Sequence, residues 1–309
     1  MEYSELLTKG FLIMEVYDNH IHLGYGPCDT PAVFMKKTAA AGVVGGNIIS
    51  VPPESFRSCE DLSKLEYRAR IDHVLNFASE TPGFNTFLWL DPKEKNAIEQ
   101  IEEAKKCGVK GIKIICTTYY AEECMDVWQK VADEKMPLLF HSGILWNEAP
   151  SSLYNRPLSF ECLMNIRGLR FALAHISWPW CDECVALYGK FKHVSSYTGN
   201  ETFRMYVDTT PGTPPVYRHD ALKKLYCSNY PIKNGTIFGT DCVANNYDTA
   251  WAKFWIERDS KIMYDIVEDY AQYTLPNPYG KHNRDGLEDE AAGLLRAMFA
   301  ENYLDFVKP

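Results

Sequence analysis

Residues 93–116 read KEKNAIEQIEEAKKCGVKGIKIIC, and this stretch decides the fold class. Ala97, Ile101 and Ala104 recur at the spacing of one helix face, and most residues between them are charged. Gly108 suits the left-handed cap that ends a helix, and the apolar run after it predicts a strand. A helix that leads directly into a buried strand is typical of a parallel sheet with helical crossovers.

The same alternation continues along most of the chain. Strands are predicted at 14–22, 43–51, 85–90, 109–116, 137–141, 169–175, 204–209 and 236–241, and helices at 31–41, 59–79, 94–107, 121–134, 159–167, 181–190 and 220–230. Eight such units favour an α/β protein with a (β/α)₈ TIM barrel, and a doubly wound open sheet is the alternative. Two more helices, at 251–273 and 287–307, flank a break at 276–280 and are expected to complete the outer ring. Without an internal repeat or a linker, residues 1–309 predict one domain.

The composition excludes several classes of protein. The chain carries 32 Lys and Arg against 41 Asp and Glu, without a dense basic stretch, so neither nucleic acid nor an anionic membrane is an expected partner. No apolar run reaches the roughly 18 residues of a membrane span, and residues 1–14 lack the basic start of a signal peptide. Ten cysteines without regular spacing are typical of reduced thiols. We therefore expect a cytoplasmic protein that acts on a small molecule.

The strongest chemical signal ends the first predicted strand, where residues 18–22 read DNHIH. Alternate residues of a strand share a face, so His20 and His22 are expected to project in the same direction. Two imidazoles on one face can bind one cation. A single His-x-His pattern also fits buried core histidines, so its position at a strand end adds weight to the metal interpretation.

Three further residues occupy the same kind of position. His141, His175 and Asp241 end the fifth, sixth and eighth predicted strands. In a barrel these ends converge on one mouth, where active sites lie. Imidazole and carboxylate ligands suit Zn²⁺ or another divalent transition metal, and we expect one ion.

These residues resemble the amidohydrolase superfamily. The most similar branch is the amidohydrolase-related (amidohydrolase 2) group that includes aminocarboxymuconate-semialdehyde-decarboxylase-like enzymes. The resemblance spans nearly the whole chain and rests on residues 18–22, the strand at 108–114, His141, residues 173–175 and residues 238–241. It implies a barrel with one or two metal ions at its mouth, and it is compatible with a homodimer. It assigns His20, His22, His141 and Asp241 to the first metal shell and makes His175 a ligand of a second metal or a substrate-polarising group.

Lys113, on the fourth predicted strand, bears on the number of ions. In binuclear relatives a lysine at this strand is carboxylated and bridges two metals. Such a carbamate requires Lys113 to be neutral and to face the ions. A lysine that points elsewhere or pairs with an acid is the alternative, and a single metal is the expectation.

The chemistry follows from charge. A cation held by neutral imidazoles lowers the pKa of bound water, Asp241 can act first as general base and then as general acid, and His175 can stabilise an oxyanion. These roles predict hydrolysis of an amide, lactone or ester. The same residues could serve a non-oxidative decarboxylase of a small carboxylic acid. A metal-free lactonase or an inactive binding barrel is the remaining alternative.

Four residues that follow predicted strands are candidates for substrate contact: Tyr119, Trp146, Trp178 and Asn245. Aromatic rings there could equally cover the barrel rim. Arg204, which begins the seventh predicted strand, is a candidate for binding a substrate carboxylate. Asp208 ends the seventh predicted strand and could orient a ligand histidine or cap a turn. Cys181 and Cys184 form a single Cys-x-x-Cys without a partner pair, so packing is the simpler interpretation, although a substrate contact is open.

Overall fold

The predicted alternation of strands and helices is present in the computed structural model, which describes residues 14–24, 29–56, 65–198, 203–274 and 284–308. The strands are β1 (Val16–His22), β2 (Val43–Ile49), β3 (Phe84–Trp89), β4 (Gly111–Ile114), β5 (Leu138–Phe140), β6 (Leu169–Leu173), β7 (Phe203–Asp208), β8 (Thr236–Ile237) and β9 (Cys242–Val243). The helices are α1 (Pro31–Ala40), α2 (Tyr67–Ala78), α3 (Ala97–Cys107), α4 (Met125–Asp133), α5 (Cys181–Thr198), α6 (Pro215–Tyr226), α7 (Thr249–Thr274), α8 (Arg284–Arg296) and α9 (Asn302–Phe306).

These strands form one parallel sheet that curls back to its beginning. β1 to β8 pair in sequence order, and the short β9 pairs with β1. Between β8 and β9, Asn19 N donates to Phe238 O at 2.9 Å and Asp241 N donates to His20 O at 2.9 Å. Residues 236–243 thus act as one eighth strand, with β7 on one side and β1 on the other. The TIM-barrel prediction is confirmed.

Two apolar layers hold the barrel. The larger lies between the sheet and the helices, and includes Phe34, Ile101 and Trp128. The smaller lies inside the barrel, and includes Ile49 and Phe87 from the strands together with Tyr303 and Phe306 from α9. The final helix therefore contributes to the barrel interior rather than only to the outer ring.

The end of the chain closes the amino-terminal end of the barrel. Residues 297–301 form a π-helical turn before α9, and Met298 O accepts from Phe238 N at 3.1 Å. The Asn302 amide donates to Lys233 O and Thr236 O, both at 2.8 Å. These bonds tie α9 across the start of the eighth strand, and the cavity described below lies at the opposite, carboxyl-terminal end of the barrel, the mouth.

Some helical predictions need correction. The segment at 159–167 is not an α-helix but 3₁₀ turns over Pro157–Asn165, where Pro157 lacks an amide donor. The helix predicted at 220–230 begins earlier, at Pro215, because proline suits the first helical turn. The helix at 181–190 continues to Thr198. The start of the predicted 59–79 helix and the break at 276–280 lie outside the described residues. Among the described helices, none combines the length and apolar character that a membrane crossing requires.

Candidate metal centre

A cavity of about 240 Å³ opens at the mouth of the barrel. Its lining includes six residues that the sequence analysis singled out for metal or catalytic roles: His20, His22, Lys113, His141, His175 and Asp241. They come from β1, β4 and the segments that follow β5, β6 and β8. The parallel barrel thus gathers around one space side chains that lie up to 221 positions apart, from His20 to Asp241.

A bulge in β1 sets the direction of the first histidine. The register between β1 and β2 shifts between Asp18 and Ile21, so strict alternation is broken there. Asp18 points outward and accepts from Thr240 Oγ1 at 2.6 Å and from Tyr247 OH at 3.1 Å. Asn19 and His20 consequently both face the barrel interior.

His20, His22 and Asp241 form the tightest group of potential ligands among the described residues. One ligand atom from each lies within 4.8 Å of the other two. Asp241 Oδ1 is 3.3 Å from His22 Nε2 and 3.6 Å from His20 Nε2. Two imidazoles and a carboxylate at this separation suit a divalent transition metal.

Asp208 faces the other side of the His20 ring. Asp208 Oδ2 lies 3.4 Å from His20 Nδ1, and both side chains are buried. Because a carboxylate only accepts, this contact favours the proton on Nδ1 and leaves the Nε2 lone pair toward the cavity. Burial and then the Lys113 ammonium lower the pKa of His20 to about 3, so the ring is neutral. Burial opposes ionisation of Asp208, but its contacts with His20 hold its pKa at about 2.

His141 and His175 form a second group beside the first. Their ring centroids are 4.8 Å apart, and the His175 ring lies 5.3 Å from the His20 ring. His141 is not one of the three residues whose ligand atoms meet within 4.8 Å, although the sequence analysis placed it in that shell. Its Nε2 lies 3.2 Å from Ile144 O, which only accepts, so the lone pair of a neutral ring is on Nδ1.

The backbone after β6 takes an unusual path to present His175. His175, Ile176 and Ser177 have φ values of 63°, 47° and 55°, in the left-handed region that non-glycine residues rarely adopt. Ile176 is fully buried, which offsets this strain. Gly143 permits the loop after β5 to approach, since a Cβ there would lie 2.4 Å from Trp178 O. The two loops that carry His141 and His175 are therefore in backbone contact.

His175 is oriented by the loop after β7. Its Nδ1 lies 3.1 Å from Pro211 O, so Nδ1 carries the proton and a neutral ring exposes the Nε2 lone pair. Burial lowers the pKa of His175, which favours the neutral form. Gly212 lies directly against this ring, and a Cβ on it would be 2.7 Å from the His175 Cβ.

Lys113 points into the cavity rather than away from it. Its Nζ lies 3.1 Å from His20 Nε2, and the side chain is fully buried. Burial lowers the pKa of Lys113 to about 8, although Asp241 and Asp208 oppose the shift. At that pKa Lys113 is mainly an ammonium at neutral pH, with a larger fraction of free amine than an ordinary lysine has. The orientation that a carbamate requires is therefore present.

Asp241 is the site's exposed acid. Its side chain is 41% exposed and lines the cavity. Enclosure raises the pKa of Asp241, but the hydrogen bond from His22 and the nearby His20 and His175 rings outweigh that effect and hold it well below the usual value. Asp241 is consequently a carboxylate at neutral pH, able to accept a proton.

The predicted substrate contacts divide into two sets. Trp146 and Trp178 line the cavity, as does Trp89, which the sequence analysis missed although it ends β3 and so obeys the strand-end rule. Tyr119 is buried and donates to Ile115 O at 3.1 Å, behind the cavity. Asn245 accepts from Gly24 N at 3.0 Å and ties two loops together.

Arg204 lies at the wrong end of the barrel for a substrate contact at the mouth. It is near the start of β7, whereas the mouth is built from strand ends. Its guanidinium pairs with Asp305 of α9. The structure therefore gives Arg204 no place in the cavity.

Cys181 and Cys184 begin α5 as buried free thiols, and neither lines the cavity. Burial raises the pKa of Cys181 to about 11 and that of Cys184 to about 12. Protonated, buried thiols are poor nucleophiles and poor metal ligands. Their placement is that of packing residues.

Comparisons with known proteins give the fold context. No protein-family model matches the chain, and no curated protein matches its sequence. A putative 2-pyrone-4,6-dicarboxylic acid hydrolase from Pseudomonas putida is a similar solved structure, with 11% identity over 92% of this chain and 99% of that chain and a TM-score of 0.52. An amidohydrolase from Burkholderia multivorans is another, with 10% identity over 94% and 98% of the two chains and a TM-score of 0.52. At such identity the likeness shows the fold alone, a TIM barrel.

Proposed function

We propose that this protein is a metal-dependent hydrolase of the amidohydrolase type, which cleaves an amide, lactone or ester bond of a small molecule. The observation that carries the proposal is the meeting of His20, His22 and Asp241, with ligand atoms within 4.8 Å of one another, in the cavity that His141 and His175 also line. The amidohydrolases among similar solved structures support it through the shared fold.

The donor set fits a divalent transition metal such as Zn²⁺. His20 and His22 would hold the ion through nitrogen, and Asp241 would hold it through one carboxylate oxygen. The contact between Asp208 and Nδ1 of His20 orients the ring and raises its basicity, as partners of metal-binding histidines commonly do. Lys113 Nζ, now 3.1 Å from His20 Nε2, would have to withdraw from that lone pair.

A bound divalent cation would supply Lewis acidity, which activates water and polarises a carbonyl. Asp241 is the proton carrier: its low pKa keeps it ionised and its exposed face meets the cavity. It accepts a proton from the attacking water and returns that proton to the nitrogen or oxygen of the leaving group.

The role proposed for His175 follows from its tautomer. Because Nδ1 donates to Pro211 O, Nε2 of the neutral ring has a lone pair and no proton to offer an oxyanion. His175 is therefore better suited to binding a cation than to donating a hydrogen bond. With His141 it makes a second potential metal position, which needs a bridging ligand to be complete.

Lys113 decides whether that second position is used. As a free amine it offers one nitrogen beside His20, and the proposal remains one ion held by His20, His22 and Asp241. As a carbamate it would offer two oxygens toward both histidine groups. The ratio of zinc to protein, about one or about two per chain, distinguishes the two states.

The cavity walls indicate what kind of small molecule enters. Trp89, Trp146 and Trp178 stand around a polar floor, and Ile115 and Leu145 complete the apolar surface. A volume of about 240 Å³ accommodates a molecule of ring size rather than a polymer. The substrate proposed is a small compound with a flat apolar part beside the scissile bond.

The test uses purified full-length protein stripped with chelator and titrated with Zn²⁺. We expect zinc to bind and to restore hydrolysis of members of a panel of aromatic amides, lactones and esters, and we expect His22→Ala to lose both. Tyr120→Phe, on an exposed ring outside the cavity, is the control that should lose neither. Zinc binding accompanied by CO₂ release from aromatic acids, without hydrolysis, would replace this proposal with a decarboxylase. Absence of zinc binding would overturn both.

A further inference from the structure

A line of buried polar side chains crosses the otherwise apolar interior of the barrel. Asn19 Nδ2 donates to Asp208 Oδ2 at 2.7 Å, and Asn47 Nδ2 donates to Asn19 Oδ1 at 2.8 Å. Tyr303 OH donates to Asn47 Oδ1 at 3.0 Å. We call this series, Tyr303, Asn47, Asn19 and Asp208, the amide chain. All four side chains are 0–1% exposed.

The amide chain connects the two ends of the barrel. Tyr303 lies on α9, which closes the amino-terminal end, and stacks on Tyr17 with ring centroids 4.9 Å apart. Asp208 ends β7 at the mouth and faces His20 Nδ1 at 3.4 Å. A hydroxyl far from the cavity is thus joined to a cavity histidine by consecutive polar contacts.

The direction of every hydrogen bond in the amide chain is fixed. Asp208 accepts on both oxygens, from Thr210 N at 2.6 Å and from the Asn19 amide. The Asn19 NH₂ group donates to the Asp208 carboxylate, so the Asn19 oxygen is the atom that accepts from Asn47. In the same way, the Asn47 NH₂ group donates to Asn19, so the Asn47 oxygen accepts from Tyr303 OH. The donors therefore all point toward Asp208, and bonds aligned in this way polarise one another in a low-dielectric interior.

The aligned hydrogen bonds of the amide chain affect the His20 ring through Asp208. A carboxylate held by aligned donors keeps its charge and its position opposite His20 Nδ1. That charge favours the tautomer with the proton on Nδ1, which leaves the Nε2 lone pair in the cavity. We propose that Tyr303 is a positioning residue for His20 and acts on it through the amide chain. The inference rests on the proposed function, since it takes His20 to be a metal ligand.

The test compares Tyr303→Phe with Tyr206→Phe. The first substitution keeps the ring that stacks on Tyr17 and removes only the hydroxyl that begins the amide chain. The second removes the hydroxyl that donates to Asp305 Oδ2 at 2.7 Å, from an equally buried ring packed against the same helix and outside the amide chain. If Tyr303 only anchors α9, the two variants should behave alike.

Two measurements on the full chain are used. The first is the His20 tautomer in zinc-free protein, from ¹H–¹⁵N spectra of histidine-labelled samples, with the His20 signal assigned by its loss in His20→Ala. The second is the Zn²⁺ dissociation constant by chelator competition. Removing a direct partner of a ligand histidine typically weakens metal binding about 10- to 100-fold, so for the more distant Tyr303→Phe we expect about 3- to 10-fold, with more of the Nε2–H tautomer. Tyr206→Phe should leave both readouts unchanged.

Other outcomes overturn the inference. Equal changes in the two variants, or no change in Tyr303→Phe, would make the amide chain purely structural. If the wild-type protein binds no zinc, the proposed function fails and the tautomer alone decides this inference. If Tyr303→Phe does not fold, Asn47→Leu replaces it, because Asn47 accepts from Tyr303 OH and donates to Asn19 Oδ1 and so links the two halves of the amide chain. An unchanged His20 tautomer in Asn47→Leu would then contradict the inference.

Discussion

The two ends of the barrel treat their charged side chains in opposite ways. At the amino-terminal end Arg204 pairs with Asp305, which also accepts a hydrogen bond from Tyr206, so each of these groups has a polar partner within the protein. At the mouth, several imidazoles and Lys113 lie close together around one cavity, and Asp208 and Asp241 are the carboxylates beside them. Imidazole nitrogens and a carboxylate gathered around one cavity are suited to binding a cation. The difference indicates which end is built for structure and which for chemistry.

The same comparison explains why burial is a poor guide to function here. Asp208 and Asp305 both end hydrogen-bonded networks, yet only Asp208 faces a ring whose other nitrogen opens onto a cavity. Arg218 is as buried as any cavity residue, but Asp259 neutralises it. What distinguishes the mouth is that imidazole nitrogens face an open cavity.

The largest effect is expected from the mouth itself. His20→Ala should weaken zinc binding by more than the roughly 10- to 100-fold typical of losing a ligand's supporting partner. Asp241→Asn should retain zinc better, since an amide oxygen remains, but should lower turnover by about 10²- to 10⁴-fold through loss of the proton carrier. Chelator competition and steady-state kinetics measure the two. Near-normal turnover in either variant would contradict the proposal that the mouth is the chemically active end of the barrel.

A large loss of stability is expected behind the mouth, where α6 and α7 meet. Asp259→Ala should lower the free energy of unfolding by about 3–5 kcal/mol, because it leaves the Arg218 guanidinium buried without its partner. Asp269→Ala, on the same helix, breaks the exposed pair with Lys223 and should change stability by at most about 1 kcal/mol. Urea denaturation compares them. Similar values for both would show that Arg218 does not depend on the pair.

An intermediate effect is expected from the glycine that faces His175. Gly212→Ala adds a Cβ 2.7 Å from the His175 Cβ, so the ring must shift. A displacement of about 1 Å of a group in an active site can lower activity about 100-fold, and we expect Gly212→Ala to lower it about 10-fold or more. Gly293→Ala, in α8 with the ends of the flexible Lys233 and Arg296 side chains as its neighbours, is the control that should keep full activity. An active Gly212→Ala enzyme would mean that the position of His175 is not critical.

The smallest effect is expected at the closed end. Arg204→Met removes a partly exposed ion pair, worth at most about 1 kcal/mol of stability. Zinc affinity and turnover should be unchanged, because Arg204 is outside the cavity. A loss of activity without a loss of stability would contradict the division between the two ends.

Much of this arrangement follows from local sequence patterns. Strand periodicity located β1, β5, β6 and β8 and placed their ends within about four residues of the observed ones, and the geometry of a parallel barrel brings these ends together. Trp89 could have been found by the same rule, since it ends β3. Arg204 was misplaced for a reason that the pattern also contained: it stands at the start of its strand, and strand starts lie at the other end of the barrel.

Other features depend on tertiary contacts that a single sequence does not reveal. The bulge in β1 turns Asn19 inward, although strict alternation would pair it with the outer face. The left-handed turn places Ile176 where a β-branched residue is normally unfavourable, and only its burial compensates. The reach of Tyr303 into the barrel depends on how the final helix docks. No local periodicity encodes any of these.

The seam between the first and eighth strands has a further consequence. The backbone bond from Asp241 N to His20 O that closes the sheet joins two residues whose side chains also meet in the cavity. Closure of the sheet at this seam therefore also brings the His20 and Asp241 side chains together. If the proposed metal ion binds His20 and Asp241, it links the first and eighth strands across this seam, so its binding stabilises the closed barrel.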